Sequence, residues 1–390
     1  MIRKSILVYL LCLLTVCWMP AAENSYDSLV KAVAGNDALE GETLEYFLRL
    51  TPPLLQYLDH ASGRKLNKSL ANVHSVSDLK RALDREIGPD WIDFGEELFD
   101  FFTPCDSLEK NGEARSMETA HFILSFLTGT RAEQDIDFLA ANAEKSFAAI
   151  AATIGGSLEA PMRFLKNSGE AGQDKRKIAV FFHGNKQAMQ QRTKSNGLGI
   201  TNFGATIDDE QSVRLTCEIN VVYTNPFALA IVAHEVAHAA LLLGSFKLEA
   251  IQGNKIEGQK GLAKAFFAGY RRIPAFLQEG IGDHAAYYQG FLGKWPLLPD
   301  IGQLLRPVLG SGSYIPLEQL IDAHPAIVVK KHKYFSLLAA SFIDFLIQEY
   351  GVGKMRAWLL AGNEKGRETF ASIYGEDVRA VEKKWLASLT

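Results

Sequence analysis

One stretch limits the fold of this chain more than any other, the apolar run NPFALAIVAHEVAHAALLLG from Asn225 to Gly244. Asn225 can cap a helix, Pro226 suits its first position, and Gly244 suits a left-handed stop. The stretch therefore predicts a single helix. Because apolar residues surround this helix nearly completely, it is expected to be buried. Polar side chains on such a helix are unfavourable unless partners satisfy them.

The same helix nevertheless carries two imidazoles and a carboxylate, in the sequence His234-Glu235-Val236-Ala237-His238. His234 and His238 are four residues apart and share one helix face, where two neutral imidazoles can bind one Zn²⁺. Glu235 lies ~100° round the helix, beside the metal but off the line of ligands. There it can take a proton from a zinc-bound water. The alternative is a core helix with two satisfied histidines and a stray glutamate.

A catalytic zinc site needs a third protein ligand. The form H-E-x-x-H-x-x-G-x-x-H is excluded, because Leu241 and Gly244 occupy its later glycine and histidine positions. A second helix is predicted from Pro274 to His284, and it carries Glu279 and Asp283 four residues apart on one face. Glu279 can bind the metal, and Asp283 can accept the N–H of a ligand histidine. Two solvated acids on a surface helix are the alternative.

These two motifs together resemble a known family. The His234 to His238 motif followed by Glu279-x-x-x-Asp283 is similar to the gluzincin pattern of thermolysin-like zinc peptidases. The stretch Leu277-Gln278-Glu279-Gly280 is similar to the L-x-E-G stretch of their peptidase-MA-like relatives. The resemblance covers roughly residues 132 to 390 as an order of elements. Many relatives carry Ala and then an aromatic residue after E-G-x, whereas Gly282, Asp283 and His284 follow here, which leaves His284 as an alternative ligand.

The resemblance implies a role for each site residue. His234, His238 and Glu279 would bind zinc, Glu235 would be the general base, and Asp283 would support a ligand histidine. Gluzincins also use a Tyr or His that donates a hydrogen bond to the developing oxyanion. By position downstream of Glu279 the candidates are Tyr334, which we favour, His332 and Tyr314.

The fold class predicted from these elements is α+β and predominantly helical. Strands predicted at 178–182, 197–205 and 213–223 form a small sheet ahead of the active-site helix. The last of these strands could offer its edge to an extended peptide. The resemblance implies that residues 131–390 form a zincin-like metallopeptidase domain, and the helical patterns before it predict a helical accessory domain at residues 23–130.

Residues 1–22 predict a signal peptide, with a basic start, an apolar run from Ile6 to Met19 and a small-residue exit at Pro20-Ala21-Ala22. An uncleaved anchor is the alternative. We expect the mature chain to be exported to the periplasm or the extracellular space, with no later membrane span. Of the cysteines beyond this leader, Cys105 and Cys217 either form a disulfide or remain as two buried thiols.

The predicted function is a zinc-dependent peptidase that hydrolyses exported or extracellular protein through a zinc-bound water activated by Glu235. Two alternatives are a non-catalytic zinc-containing binding module and a zinc amidase acting on cell-wall peptides. A net charge of −4 without any basic run argues against a nucleic-acid partner.

Overall fold

A computed structural model describes residues 19–61, 66–88, 91–102, 112–155, 158–163, 165–168, 174–207, 213–245, 267–270, 272–310, 314–321, 334–361 and 366–389. The described residues group into two compact units. Unit 1 comprises Met1–Phe101 and Lys294–Leu298, and unit 2 comprises Phe102–Gly293 and Pro299–Thr390. The division after Phe101 differs from the boundary expected after residue 130, because the segment between them contributes strands to unit 2.

Unit 1 is helical in its described part. Its helices are α1 (Met19–Asn36), α2 (Gly41–Ala61), α3 (Leu66–Leu70), α4 (Val76–Ile87) and α5 (Trp91–Phe102). The sequence Ser75-Val76-Ser77-Asp78 predicts a capping box before α4. Its first half is confirmed, because the Ser75 hydroxyl accepts a hydrogen bond from the Asp78 backbone N–H at 3.1 Å, whereas the Asp78 carboxylate accepts from the His74 backbone N–H. Two short helices were expected where α2 runs unbroken through Pro52 and Pro53.

The predicted signal peptide lies mostly outside the described residues, which begin at Met19. Helix α1 starts there and continues past the expected cleavage point after Ala22. It buries Tyr26, Val30 and Val33 in unit 1. Cleavage and export remain predictions.

Among the described residues of unit 2, five strands form a mixed sheet in the order β1-β2-β5-β7-β6. They are β1 (Ala114–Glu118), β2 (Phe122–Leu127), β5 (Ile178–His183), β6 (Gly199–Ile207) and β7 (Val213–Val222), and the short β3 (Asn167–Ser168) and β4 (Asp174–Lys175) form a separate pair. Strands β2, β5 and β7 are parallel, and the outer strands β1 and β6 pair antiparallel to their neighbours.

The sequence from Met117 to Leu127 predicts a helix, and this prediction was wrong, because β1 and β2 occupy the segment. A short apolar run such as Phe122–Leu127 fits a buried strand as well as a buried helix, so its pattern alone does not decide between them. Pairing with β5 buries its residues Phe122, Ile123 and Leu124.

Strand β7 leads to the helix that carries the histidines. Its alternate residues Leu215, Cys217, Ile219 and Val221 are fully buried, as the alternation predicted. Since β7 pairs with β5 on one side and β6 on the other, the expectation that β7 offers a free edge was wrong. The Cys217 thiol is free and buried, and Cys105 lies outside the described residues.

Most of the other regular elements described in unit 2 are helices. They are α6 (Arg131–Gln134), α7 (Ile136–Ile154), α8 (Glu159–Met162), α9 (Lys186–Thr193), α10 (Leu229–Ser245), α11 (Ala275–His284), α12 (Ile301–Gly310), α13 (Leu317–Ile321), α14 (Phe335–Tyr350), α15 (Val352–Ala361), α16 (Gly366–Tyr374) and α17 (Val378–Ser388). A π-helical turn follows α11 at Ala285–Gln289, and 3₁₀ turns lie at Pro226–Ala228 and Leu292–Lys294. The chain is therefore α+β and predominantly helical, as predicted.

The helix predicted as one element from Ala132 to Ile154 is divided at Asp135 into α6 and α7. The buried Asp135 carboxylate lies 2.6 Å from the Arg131 guanidinium and accepts a hydrogen bond from the Tyr223 hydroxyl at 3.1 Å. Tyr223 directly follows β7, so this buried contact ties the end of β7 to the start of α7.

Segment Pro226–Ser245, which includes α10, is long and apolar enough to cross a membrane. It is the one such helix within the part of the chain that the structure describes. The expectation that no stretch after the leader meets this test was therefore wrong. In the structure, 72% of its most apolar window is buried inside the protein, as in the core helix of a folded domain.

Candidate metal centre

The two histidines of α10 lie side by side. The predicted cap is confirmed, since the Asn225 side-chain oxygen accepts the Phe227 backbone N–H at 3.0 Å, but Pro226–Ala228 form a 3₁₀ turn and α10 begins at Leu229. The helix continues through Gly244 to Ser245, so the left-handed stop expected at Gly244 was wrong. The rings of His234 and His238 are 4.7 Å apart between centroids, and their two Nε2 atoms are 3.0 Å apart. Two Nε2 atoms that face each other at this distance share either a proton or a metal ion.

Glu279 of α11 brings a carboxylate to the same point. Its Oε2 lies 3.3 Å from His234 Nε2, and its Oε1 lies 3.9 Å from His238 Nε2. Ligands about 2.1 Å from a tetrahedral metal are separated by about 3.4 Å. The measured distances lie close to that value, and two imidazoles with one carboxylate are a donor set that Zn²⁺ accepts. Within the described ranges, these three residues are the one group of His, Cys, Asp or Glu side chains whose ligand atoms all lie within 4.8 Å of one another.

Asp283 holds the first histidine in place. Its Oδ1 lies 2.9 Å from His234 Nδ1, the ring nitrogen that faces away from His238 and Glu279. Glu279 and Asp283, whose four-residue spacing predicted a shared helix face, therefore both contact His234. The adjacent Gly282 lets α11 approach α10, because a Cβ atom there would lie 2.5 Å from His234 Nδ1. Gly280 faces α14 instead, where a Cβ atom would meet Ala339 and Ile343.

Glu235 lies beside this group and is not part of it. Its residue is 7% exposed, and its Oε2 lies 2.5 Å from the Thr201 hydroxyl on β6. A Cβ atom on Gly199 would lie 2.7 Å from Glu235 Oε1, so glycine is needed there to admit the carboxylate. With Oε2 held by Thr201, Oε1 is the oxygen left to accept a proton.

Tyr270 adjoins the second histidine. Its hydroxyl lies 3.1 Å from His238 Nδ1, and its ring packs against the ring of Phe203 on β6, with 6.4 Å between centroids. The Tyr270 hydroxyl therefore contacts Nδ1 of His238, just as the Asp283 carboxylate contacts Nδ1 of His234. Tyr270 therefore belongs to the site, although it was not among the predicted residues.

The other candidates lie elsewhere or outside the described residues. His284 Nε2 is 3.2 Å from Asp344 on α14, and its ring stacks on Tyr288. The Tyr314 hydroxyl bonds to the Glu382 carboxylate on α17. Tyr334 directly precedes α14, and its predicted role as oxyanion donor is untested. His332 lies outside the described residues.

The charges of the site are strongly coupled. Burial lowers the pKa of His234, but hydrogen bonds and charges from Asp283 and Glu279 outweigh it, so this pKa lies well above its usual value. Burial and the positive charge of His234 lower the pKa of His238 to about 4. Burial raises the pKa of Glu279, but the hydrogen bond with His234 and both imidazole charges bring it below its usual value. In the metal-free protein His234 is therefore the protonated residue of the three that converge here.

Metal binding at this group is expected to release about one proton near neutral pH, because His234 must lose its proton before Nε2 can act as a ligand. Affinity for zinc should consequently rise about tenfold per pH unit until the pH passes the raised pKa of His234. Calorimetric titration in buffers of different ionisation enthalpy measures the released proton. In Asp283→Asn, which removes the main group that raises this pKa, the release should shrink. An affinity independent of pH would contradict the assignment of His234.

Two site residues escaped the sequence analysis for different reasons. Thr201 lies two residues after Gly199 on β6, so period-two alternation could have placed both on the face toward α10. No such rule reaches Tyr270, because it lies 32 residues after His238 and the periodicity of a helix or strand does not relate residues that far apart.

Neither a scan of the chain against models of protein families nor a search of curated proteins finds a match.

Proposed function

We propose that this chain is a zinc-dependent peptidase of the gluzincin type, with a zincin-like fold in unit 2. The observation that carries the proposal is the convergence of His234, His238 and Glu279 with a fourth side chain, Glu235, buried beside them. Three protein ligands leave a position for water and substrate, which is typical of a catalytic zinc site rather than a structural one.

When bound there, Zn²⁺ would polarise a scissile carbonyl and make water more acidic. Glu235 takes the proton of the attacking water on Oε1 and passes it to the leaving amine. Thr201 holds the other carboxylate oxygen, so the base keeps one orientation during both transfers. Burial raises the pKa of Glu235, which makes it a stronger base than an exposed glutamate.

A peptide substrate fits the strand beside the site. Strand β6 is an outer strand of the described sheet, and its residues Gly199 and Thr201 contact Glu235. An extended peptide can pair with the backbone of such an edge. This pairing would bring a peptide bond next to the side chain that acts as base. We infer an exported location from the leader predicted at residues 1–22, so the substrate is an exported or extracellular protein.

Two other functions are the alternatives that the experiment below distinguishes from a peptidase. A non-catalytic zinc module has no use for a base, and Glu235 therefore argues against it. A zinc amidase would use the same residues on the peptides of a cell wall.

Digestion of a mixed peptide library by the zinc-loaded protein tests the proposal. Cleavage should disappear with a zinc chelator and return when zinc is added. If library peptides remain intact and purified cell-wall peptides are cleaved, the enzyme is an amidase. If zinc binds and neither substrate is cleaved, the chain is a binding module.

A further inference from the structure

We propose that Tyr270 and Gln278 together position His238 as a metal ligand, a role that rests on the metal site of the proposed function. The two residues are linked in the structure: the Gln278 side-chain amide donates to the Tyr270 backbone carbonyl, and the Tyr270 hydroxyl adjoins the His238 ring.

The first step concerns the proton on His238. Its Nε2 faces His234 Nε2 at 3.0 Å and Glu279 at 3.9 Å, so Nε2 must be the ligand atom and must carry no proton. The proton of a neutral imidazole then resides on Nδ1. The acceptor it finds there is the Tyr270 hydroxyl oxygen at 3.1 Å. This contact fixes both the tautomer and the rotation of the ring.

The second step concerns Tyr270 as an acceptor. The ordinary pKa of a tyrosine hydroxyl is about 10, so Tyr270 is a neutral phenol near pH 7. A neutral phenol accepts a weaker hydrogen bond than a carboxylate does. The two ligand histidines are therefore held differently, His234 by the Asp283 carboxylate and His238 by a phenol.

The third step concerns what holds Tyr270. The Gln278 amide nitrogen lies 3.2 Å from the Tyr270 carbonyl oxygen and 2.8 Å from that of Ile273. Gln278 directly precedes Glu279 on α11. Helix α11 thus carries the third candidate ligand, Glu279, and beside it Gln278, which acts through Tyr270 on the orientation of His238.

Titration with zinc against a competing chelator, and with Co²⁺ by its visible absorption, tests this role. Tyr270→Phe should weaken zinc binding roughly 10–100-fold and change the Co²⁺ spectrum. Gln278→Leu should weaken it less. In the Tyr270→Phe background Gln278→Leu should have almost no further effect, because Gln278 acts through the missing hydroxyl. Tyr288→Phe is the matched control, since this tyrosine stacks on His284 rather than a ligand.

The outcomes separate this inference from the proposed function. If the wild-type protein binds zinc and Tyr270→Phe has wild-type affinity and spectrum, the positioning role is wrong and the metal site stands. If the variants weaken zinc binding and no peptide is cleaved, the positioning role stands and the peptidase proposal is wrong. If the wild-type protein binds no zinc, both are wrong. Melting of the metal-free variants shows whether a loss of fold explains weak binding.

Discussion

Replacing Glu235 with glutamine is expected to lower peptide hydrolysis by roughly 10²–10⁴-fold while zinc stays bound. The amide has nearly the same size and can still accept the hydrogen bond from Thr201, which lies 2.5 Å from Oε2. It cannot take a proton from water, however. Because Glu235 is outside the group formed by His234, His238 and Glu279, its replacement leaves the metal ligands in place.

Steady-state hydrolysis and zinc content, measured on the same preparation, check this result. The fold should also survive the change. Burial raises the pKa of Glu235, so ionising this group costs the metal-free folded state stability as the pH rises through that pKa. Glutamine removes this cost, and the metal-free variant should melt no lower than wild type above neutral pH. Wild-type turnover in the variant would remove Glu235 from the mechanism.

The second large effect is expected at Glu279. Glu279→Ala removes the one carboxylate that faces both Nε2 atoms, and it should abolish most of the affinity for zinc. Asp283→Ala should cost less, roughly 10–100-fold, because Asp283 orients His234 without facing the metal position. His284→Ala should leave zinc binding intact, because His284 bonds to Asp344 on α14.

Zinc titration of the three variants ranks these residues directly. His284 is buried, so its replacement is expected to lower the melting temperature, and stability must be measured separately from affinity. If His284→Ala loses zinc and Glu279→Ala keeps it, the ligand set contains three histidines and the gluzincin assignment is wrong.

The convergence of the candidate ligands was predictable because each signal was local to one helix. Spacing of four residues places His234 with His238 and Glu279 with Asp283 on single faces, whatever the rest of the chain does. Gly280 and Gly282 both predict a close approach of α11 to the histidine helix, but only Gly282 lies against α10, whereas Gly280 faces α14. A one-dimensional pattern does not tell which neighbour a glycine approaches.

The remainder of the fold depends on contacts distant in sequence. The segment of β2 was predicted to be a helix because its own pattern does not show that it pairs with a strand. Its partner β5 begins only at Ile178, far along the chain. The Tyr270 hydroxyl contacts His238 and the Gln278 side chain donates to the Tyr270 carbonyl, two contacts that no periodicity encodes. Among the described strands, β6 rather than β7 is the outer strand on this side of the sheet, because β6 folds back on β7 as its antiparallel partner.

Zinc content of the protein purified without chelator tests the central claim most directly. His234, His238 and Glu279 converge at distances that fit one tetrahedral ion, so the account predicts about one zinc per chain. Elemental analysis should find this zinc in wild type and lose it when both histidines are replaced with alanine. A content near zero in wild type that added zinc cannot restore would contradict the account.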